Sequence, residues 1–305
     1  MNQQHTSHHA SLEDPFQRNA ALGYDPPSEI AGLLRYVSHG TPSPLIRWHY
    51  HEDYELHLVV ATSGKFFVGD YIGNFEPGNL VLTGPRLPHN WITAGSPPEA
   101  VPLRDHCIVF SRAPIEQATL LMPELMEIFP LLDRAVHGVE FFGLSEISRG
   151  YFERIAVNRN TSRLGIFFDL LGVLSRCSDY RLLSGAMLQG LEDEKAMDQT
   201  DRIVKFISEH YTEPLSMPEV AERFHMSESH FSRIFQRCTG NSFTDFLIRV
   251  RITRACQLLM QTDDNVATIC FDVGFNNVAN FNRRFLAVKG ITPSAFRQQT
   301  RSRFG

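Results

Sequence analysis

Residues 227–235 read SESHFSRIF, and fifty residues later residues 277–285 read NVANFNRRF. Each stretch opens on a residue suited to cap a helix, Ser227 or Asn277, and then carries Phe, Arg and Phe at the same spacing. In the first copy Phe231, Ile234 and Phe235 share one helix face, while Ser229, Ser232, Arg233 and Gln236 share another at i, i+3, i+4 and i+7. In the second the outward stripe is Ala279, Asn282, Arg283 and Leu286. A shorter apolar run precedes each copy, MPEVAERF at 217–224 and NVATICFDV at 265–273. The intervening turns are HMS at 225–227 and Gly274-Phe275. Helix, short turn and helix is the geometry that seats one helix by its apolar face and offers the other face to base edges in a major groove.

Punctuation around the repeat supports the same reading. A helix over about Asp201–Tyr211 stops before Pro214, and Ser216 with Glu219 forms a capping box ahead of Met217 and Pro218. The helix from Glu228 ends near Cys238 at Gly240, and the leading helix of the second copy takes its cap from Thr262 or Asp263. Thr292 caps a last helix with Pro293 at its first position. Between the copies lies FTDFLIRVRITRACQLLM, 243–260, a helix with apolar residues at Phe243, Phe246, Leu247, Val250, Leu258 and Leu259. Such a rod spans about 26 Å at about 1.5 Å per residue, enough with its flanking bundles to set two reading helices near one DNA turn, about 34 Å, apart.

These stretches resemble the AraC family of bacterial regulators over residues 201 to about 298. The carriers are Ser227 to Phe235, Arg251-Ile-Thr-Arg-Ala255 with Leu258-Leu259, Gly274-Phe275 with Asn277, Phe281, Arg283 and Phe285, and Gly290-Ile-Thr-Pro-Ser-Ala-Phe-Arg297. Cys270 stands where the family usually has a small Ala, and Asn277 where Ser is common. The resemblance implies that the helices starting near Glu228 and Asn277 read double-stranded DNA. Ser229, Ser232, Arg233, Asn282 and Arg283 are then expected at bases or nearby phosphates, and Gln236, Arg237 and Arg284 at phosphates. Arg251, inside the connecting helix, is expected to tie the two halves together.

Charge is divided along the chain. Residues 1–199 hold 15 Lys and Arg against 24 Asp and Glu, net −9, whereas residues 200–305 hold 14 against 10, net +4. Twelve of those 14 cations are arginines, whose planar fork suits phosphates and guanine edges. The start of the chain lacks the basic-then-apolar order of a secretory signal, and no long apolar run is free of charge, so a cytoplasmic protein with no membrane partner is expected. Five cysteines, odd in number and never CxxC, read as reduced small hydrophobic residues.

Residues 1–30, with Pro26 and Pro27, read as a flexible arm whose His5, His8 and His9 are solvated. From about Leu45 to Phe110 short alternating runs such as ELHLVVA and GNLVLTG predict antiparallel sheet. From about Ile115 to Leu183 the spacing turns helical, and YFERIAVNRNTSRLGIFFDLLGVLSRC reads as one long amphipathic helix suited to completing the core of the β-domain or to pairing with a second copy of itself, the pairing being the preferred reading. Residues 191–200, acidic and poor in large apolar side chains, suit a linker. The expected domains are therefore 1–30, 31–190, 191–200 and 201–305, an α+β two-domain protein with a β-barrel followed by an all-α domain.

Within the sheet region His49, His51, Glu55 and His57 have even spacing that puts them on one strand face, and Gly84-Pro85-Arg86-Leu87-Pro88-His89 follows. This set resembles the two motifs of the cupin barrel, in which two His, a Glu and a later His point inward and sometimes hold a divalent metal. The first motif matches through Glu55 with its closing glycine displaced to Gly64, and the second has Leu87 near the usual glycine position. The expectation is an effector pocket of His49, His51, Glu55, His57, His89 and Trp91, with no catalytic residue, cofactor or resident metal assigned. The resemblance to sugar-responsive members of the family makes a carbohydrate or related hydroxylated compound the first choice of effector.

The whole reading is a homodimeric, effector-responsive transcription regulator that contacts RNA polymerase if it activates. A metal-dependent cupin enzyme with an accessory helical DNA-binding domain, a DNA-binding protein without effector and a protein-interaction module are the alternatives.

Overall fold

The computed structural model describes residues 33–41, 48–94, 100–185 and 194–304. The arm expected at 1–30 with its three histidines, and the first residues of the linker, 191–193, lie outside the described residues. The chain forms two compact units, with the boundary along the sequence between Asp198 and Gln199.

In the N-terminal unit the strands are β1 (Leu34–Thr41), β2 (Tyr54–Val59), β3 (Gly64–Val68), β4 (Tyr71–Phe75), β5 (Leu80–Thr83), β6 (His89–Thr93), β7 (Val101–Phe110), β8 (Val139–Phe141) and β9 (Tyr180–Leu182). One sheet runs in the order β1-β7-β2-β5-β8-β9, and a second in the order β4-β3-β6. Antiparallel pairings join β1 to β7, β7 to β2, β2 to β5 and β3 to β6. The helices are α1 (Arg112–Thr119), α2 (Phe129–Ala135), α3 (Ser145–Val157) and α4 (Asn160–Ser175).

Strand alternation gives the larger sheet two different interiors. Leu56, Leu58, Leu80, Leu82, Ile108 and Phe110 face α4, whose Ile166, Phe167, Leu170 and Leu174 complete one core. The other face carries Val59 and Val81 against Phe66, Val68, Phe75 and Trp91 of the smaller sheet. The same face brings Glu55 and His57 of β2 beside Cys107 and Asp105 of β7. A one-residue slip in register would exchange the polar and apolar sets, so each side's burial fixes the pairing.

Three features differ from the sequence reading. Strand β1 starts before the expected Leu45, and β8 and β9 interrupt the region of helical spacing. The long helix expected over 151–177 is two helices, broken at Asn158 and Arg159. There Asn158 donates its side-chain N–H to Arg154 O at 2.8 Å, the buried Arg163 donates to Asn158 O at 2.8 Å, and Asn160 takes φ +53, which Asn tolerates. Finally, the apolar stripe of α4 that was assigned to self-pairing is buried in its own unit's core.

From Glu194 onward the regular elements are all helices: α5 (Glu194–His210), α6 (Met217–Arg223), α7 (Glu228–Thr239), α8 (Phe243–Gln261), α9 (Val266–Asp272), α10 (Val278–Lys289) and α11 (Pro293–Phe304). Helix α5 begins at Glu194 and so takes in most of the segment expected to be linker, because Ala196 and Met197 are buried and give it an apolar side. Among the described residues no helix is long and apolar enough to cross a membrane. The described cysteines are free thiols.

Candidate functional site

Helices α7 and α10, the two copies of the repeat, are built the same way. Ser216 and Glu219 form the capping box that starts α6, and Ser227 caps α7 by accepting from His230 N–H. In the second copy Asn265 starts α9, accepting from Thr268 N–H at 2.8 Å, and Asn277 starts α10, accepting from Asn280 N–H at 2.9 Å. The cap of α9 is therefore neither Thr262 nor Asp263. Thr262 instead closes α8, its hydroxyl donating to Leu258 O at 2.9 Å. Helices α7 and α10 end on Gly240 and Gly290, at φ +68 and +73, the left-handed geometry glycine adopts without a steric cost.

Burial separates scaffold from presented face. Phe231, Phe235, Phe281 and Phe285 are fully buried. Phe235 meets Phe246 of α8 edge-on at 5.2 Å, and Phe285 meets Phe296 of α11 at 5.7 Å. Ser229, Ser232, Arg233, Gln236 and Arg237 are exposed on α7, and Asn282 and Arg283 are exposed on α10. Arg284 is different, half-buried with its Nε enclosed by protein. The matched arginine of each copy is steadied by the residue three positions earlier. Arg233 donates to His230 Nδ1 at 3.2 Å, and Arg283 donates to Asn280 Oδ1 at 3.0 Å.

Helix α8, 19 residues and hence about 28 Å long at about 1.5 Å per residue, joins the two halves. Arg251 on α8 donates Nε to Tyr211 O and Nη2 to Glu213 O, both at 2.7 Å, and lies over the Phe275 ring. Gly274 has φ +89, and a Cβ there would sit 2.8 Å from Thr212 O, so the second turn needs glycine for both conformation and space. That turn is one residue longer than the first, four residues between Asp272 and Asn277 against three between Arg223 and Ser227.

In the N-terminal unit His49, His51, Glu55 and His89 are all buried, and one ligand atom from each lies within 4.8 Å of the others. They do not share one strand face. The chain bends at Glu52 and Asp53, so His49 bridges to His89 beside β6 of the smaller sheet while Glu55 lies in β2 of the larger one. Backbone carbonyls set the tautomers. His51 Nδ1 donates to Asp53 O at 2.8 Å, and His89 Nδ1 donates to Leu87 O at 2.7 Å. Each Nε2 is thus left with its lone pair turned inward. His89 Nε2 is buried with no hydrogen-bond partner, and burial, aided by neighbouring His51, pushes the His89 pKa down to about 3. His51 Nε2 faces Glu55 Oε2 at 3.2 Å, two acceptors that need a proton or a cation between them.

Three imidazoles and a carboxylate at these separations suit a divalent cation of the Zn, Fe or Mn type. His57 and Trp91 flank the group, with ring centroids 4.0 Å apart and Trp91 Nε1 donating to Asn79 Oδ1.

Pairing also brings in residues the sequence reading missed. Asp105 is fully buried between Arg104 Nε at 2.6 Å, His39 Nδ1 at 2.6 Å and His57 Nε2 at 3.3 Å. Burial works to raise its pKa, but His57 and His39 together hold it well below the usual carboxylate value. Cys107 Sγ lies 3.5 Å from Glu55 Oε1, linking this network to the histidine cluster. The signal available in sequence was the Asp105-x-Cys107 alternation, which acquires meaning only once β7 is registered against β1 and β2.

Comparison with known proteins locates the helical unit. A family model for a helix-turn-helix domain matches residues 220–299, the span from α6 into α11. The MmsAB operon regulatory protein of Pseudomonas aeruginosa is 32% identical over 151 residues, 45% of this chain and 48% of that protein. The regulatory protein PocR of Salmonella typhimurium is 30% identical over 98 residues, 32% of each. A solved transcriptional regulator from Chromobacterium violaceum, described as AraC-type, is 25% identical over 35% of this chain and 96% of that chain, with a TM-score of 0.33. The chain spans about half or less of the length of these two curated relatives. Residues 220–299 are a helix-turn-helix domain.

Proposed function

We propose that the whole chain is a sequence-specific, double-stranded-DNA-binding transcription regulator whose N-terminal cupin-like barrel binds a small-molecule effector. The observation that carries this reading is the duplicated, capped reading helix, with a buried phenylalanine pair behind and an exposed arginine-bearing stripe in front. An enzyme or a protein-interaction module leaves those two matched stripes unused. Ser229, Ser232, Arg233, Asn282 and Arg283 are assigned to base edges or nearby phosphates, and Gln236, Arg237 and Arg284 to phosphates.

The effector site is assigned to His49, His51, Glu55, His57, His89 and Trp91. Inward-turned imidazole lone pairs and an indole face suit a hydroxylated compound such as a sugar, and a divalent cation held by His49, His51, Glu55 and His89 would supply a coordination position for one of its oxygens. Effector binding shifts the population of N-terminal conformers and thereby the presentation of the DNA-binding unit. We place the protein in the cytoplasm as a homodimer. With α4 committed to its core, the exposed Leu120, Leu121, Met122 and Met126 are the surface assigned to self-association. If the protein activates, RNA polymerase is its further partner.

Fluorescence anisotropy of full-length protein on its own promoter fragments, with and without a panel of sugars and divalent cations, tests this reading. It predicts nanomolar-range preference for one fragment over random duplex and a change in that affinity with one member of the panel. Equal affinity for all duplexes in every condition contradicts it.

A further inference from the structure

At the common offset of fifty residues the two outward stripes align position by position. Ser229 matches Ala279, Ser232 matches Asn282, Arg233 matches Arg283, and Gln236 matches Leu286. All eight side chains are exposed, Leu286 by 47%. The arginine is the constant part, held in both copies by the residue three before it. The ends of the stripe differ in kind. On α7 they are a hydroxyl and an amide, whereas on α10 they are two hydrocarbon groups with no hydrogen-bonding capacity.

On the floor of a major groove the apolar group offered to a protein is the C5-methyl of thymine, while every other edge group is a donor or acceptor. A leucine presented there to a polar edge would desolvate that edge without replacing its hydrogen bond, at a cost in affinity. From the assignment of α7 and α10 as DNA readers, on which this step rests, we infer that Ala279 and Leu286 read thymine methyl groups on either side of the base contacts made by Asn282 and Arg283. Asn pairs with adenine N6 and N7, and Arg with guanine O6 and N7. The half-site under α10 is therefore a short element with thymines at its flanks, whereas the half-site under α7 is read through hydrogen bonds alone. The two copies of the repeat do different chemistry on the same scaffold.

Deoxyuridine tests this directly, because it keeps every hydrogen-bonding group of thymidine and lacks only the methyl. The best duplex for the full-length protein is prepared with uridine in place of thymidine in one half at a time, the α10 half being the one whose sequence preference relaxes in Arg283→Ala. Uridine in the α10 half is expected to weaken binding about fourfold per buried methyl, the ratio that follows from the free energy of one buried methyl-sized group. Uridine in the α7 half is expected to leave affinity unchanged. A double variant, Ala279→Ser with Leu286→Gln, copies the α7 stripe at exposed positions and is expected to bind the thymidine and uridine duplexes alike, with its folding checked by helical circular dichroism.

Equal parental affinity for both duplexes overturns the inference, as does a uridine penalty that survives in the folded double variant, or a best α10 half-site without thymine. Clear sequence preference with no methyl dependence removes this inference and leaves the regulator reading standing. Binding without any sequence preference removes both.

Discussion

Arg283 and its partner Asn280 show how a single contact sets the predicted energetics. If Arg283 reads a base, Arg283→Ala weakens specific binding by roughly 1–3 kcal/mol and relaxes the preference at one position, while a phosphate role would weaken all sequences alike. Titration against the best duplex and a scrambled one separates these outcomes. His89 makes a second prediction. Buried neutral in the fold, it titrates only near pH 3, against an ordinary value of 6.5. Below pH 6.5 the unfolded chain binds a proton that the fold does not. Stability of chelator-treated protein should therefore fall with pH from about 6.5 downward, by up to about 1.4 kcal/mol per pH unit, and be unaffected by this group above it. Thermal melts between pH 7 and pH 4 should show a shallower fall in His89→Gln, and an unchanged fall would refute the assignment. Which residues of α7 and α10 face outward was legible in sequence because exposure follows from spacing within one helix. His39, Asp105 and Cys107 were not, since they meet only through the register of three strands.

At the level of elements, caps and turns were read well where the cap lies one residue before a periodic run, as at Ser216, Ser227, Asn277 and Thr292. The cap of α9 was misplaced because the segment 262–265 offers four polar residues in succession, and only the geometry shows that Thr262 closes one helix while Asn265 opens the next. Strands β8 and β9, three residues each, carry no periodicity of their own and exist by pairing at the end of the larger sheet. The break between α3 and α4 was hidden by apolar spacing that continues across it. Ser216→Ala should cost about 0.5–2 kcal/mol by removing the capping box of α6. Phe285→Ala should cost about 3–5 kcal/mol by opening a cavity among Phe281, Phe275 and Phe296. Chemical denaturation of each variant measures both, and a Phe285→Ala loss no larger than that of Ser216→Ala would contradict the placement of the second core.

Across the whole molecule the division of charge, net −9 before residue 200 and +4 after it, follows the division into an N-terminal sheet unit and a C-terminal helical unit. A chain that is acidic overall thus concentrates arginine where phosphates are expected, and binding should weaken steeply with added salt. The coarse architecture was legible because the change from period-2 to helical spacing coincides with that change in charge. The course of the chain between the two sheets was not, because the bend at Glu52 and Asp53 is set by the His51 contact to Asp53 O rather than by a glycine or proline. Two helix-turn-helix copies on one rod are proposed to read two successive major grooves. Selection of bound duplexes from a random DNA library by the full-length protein at physiological salt tests it most directly. The expected product is an enriched site with two short elements about one helical turn apart, about 10 base pairs centre to centre, with Arg233→Ala and Arg283→Ala each relaxing a different element. Enrichment of a single element, or no enrichment by folded protein, would contradict it.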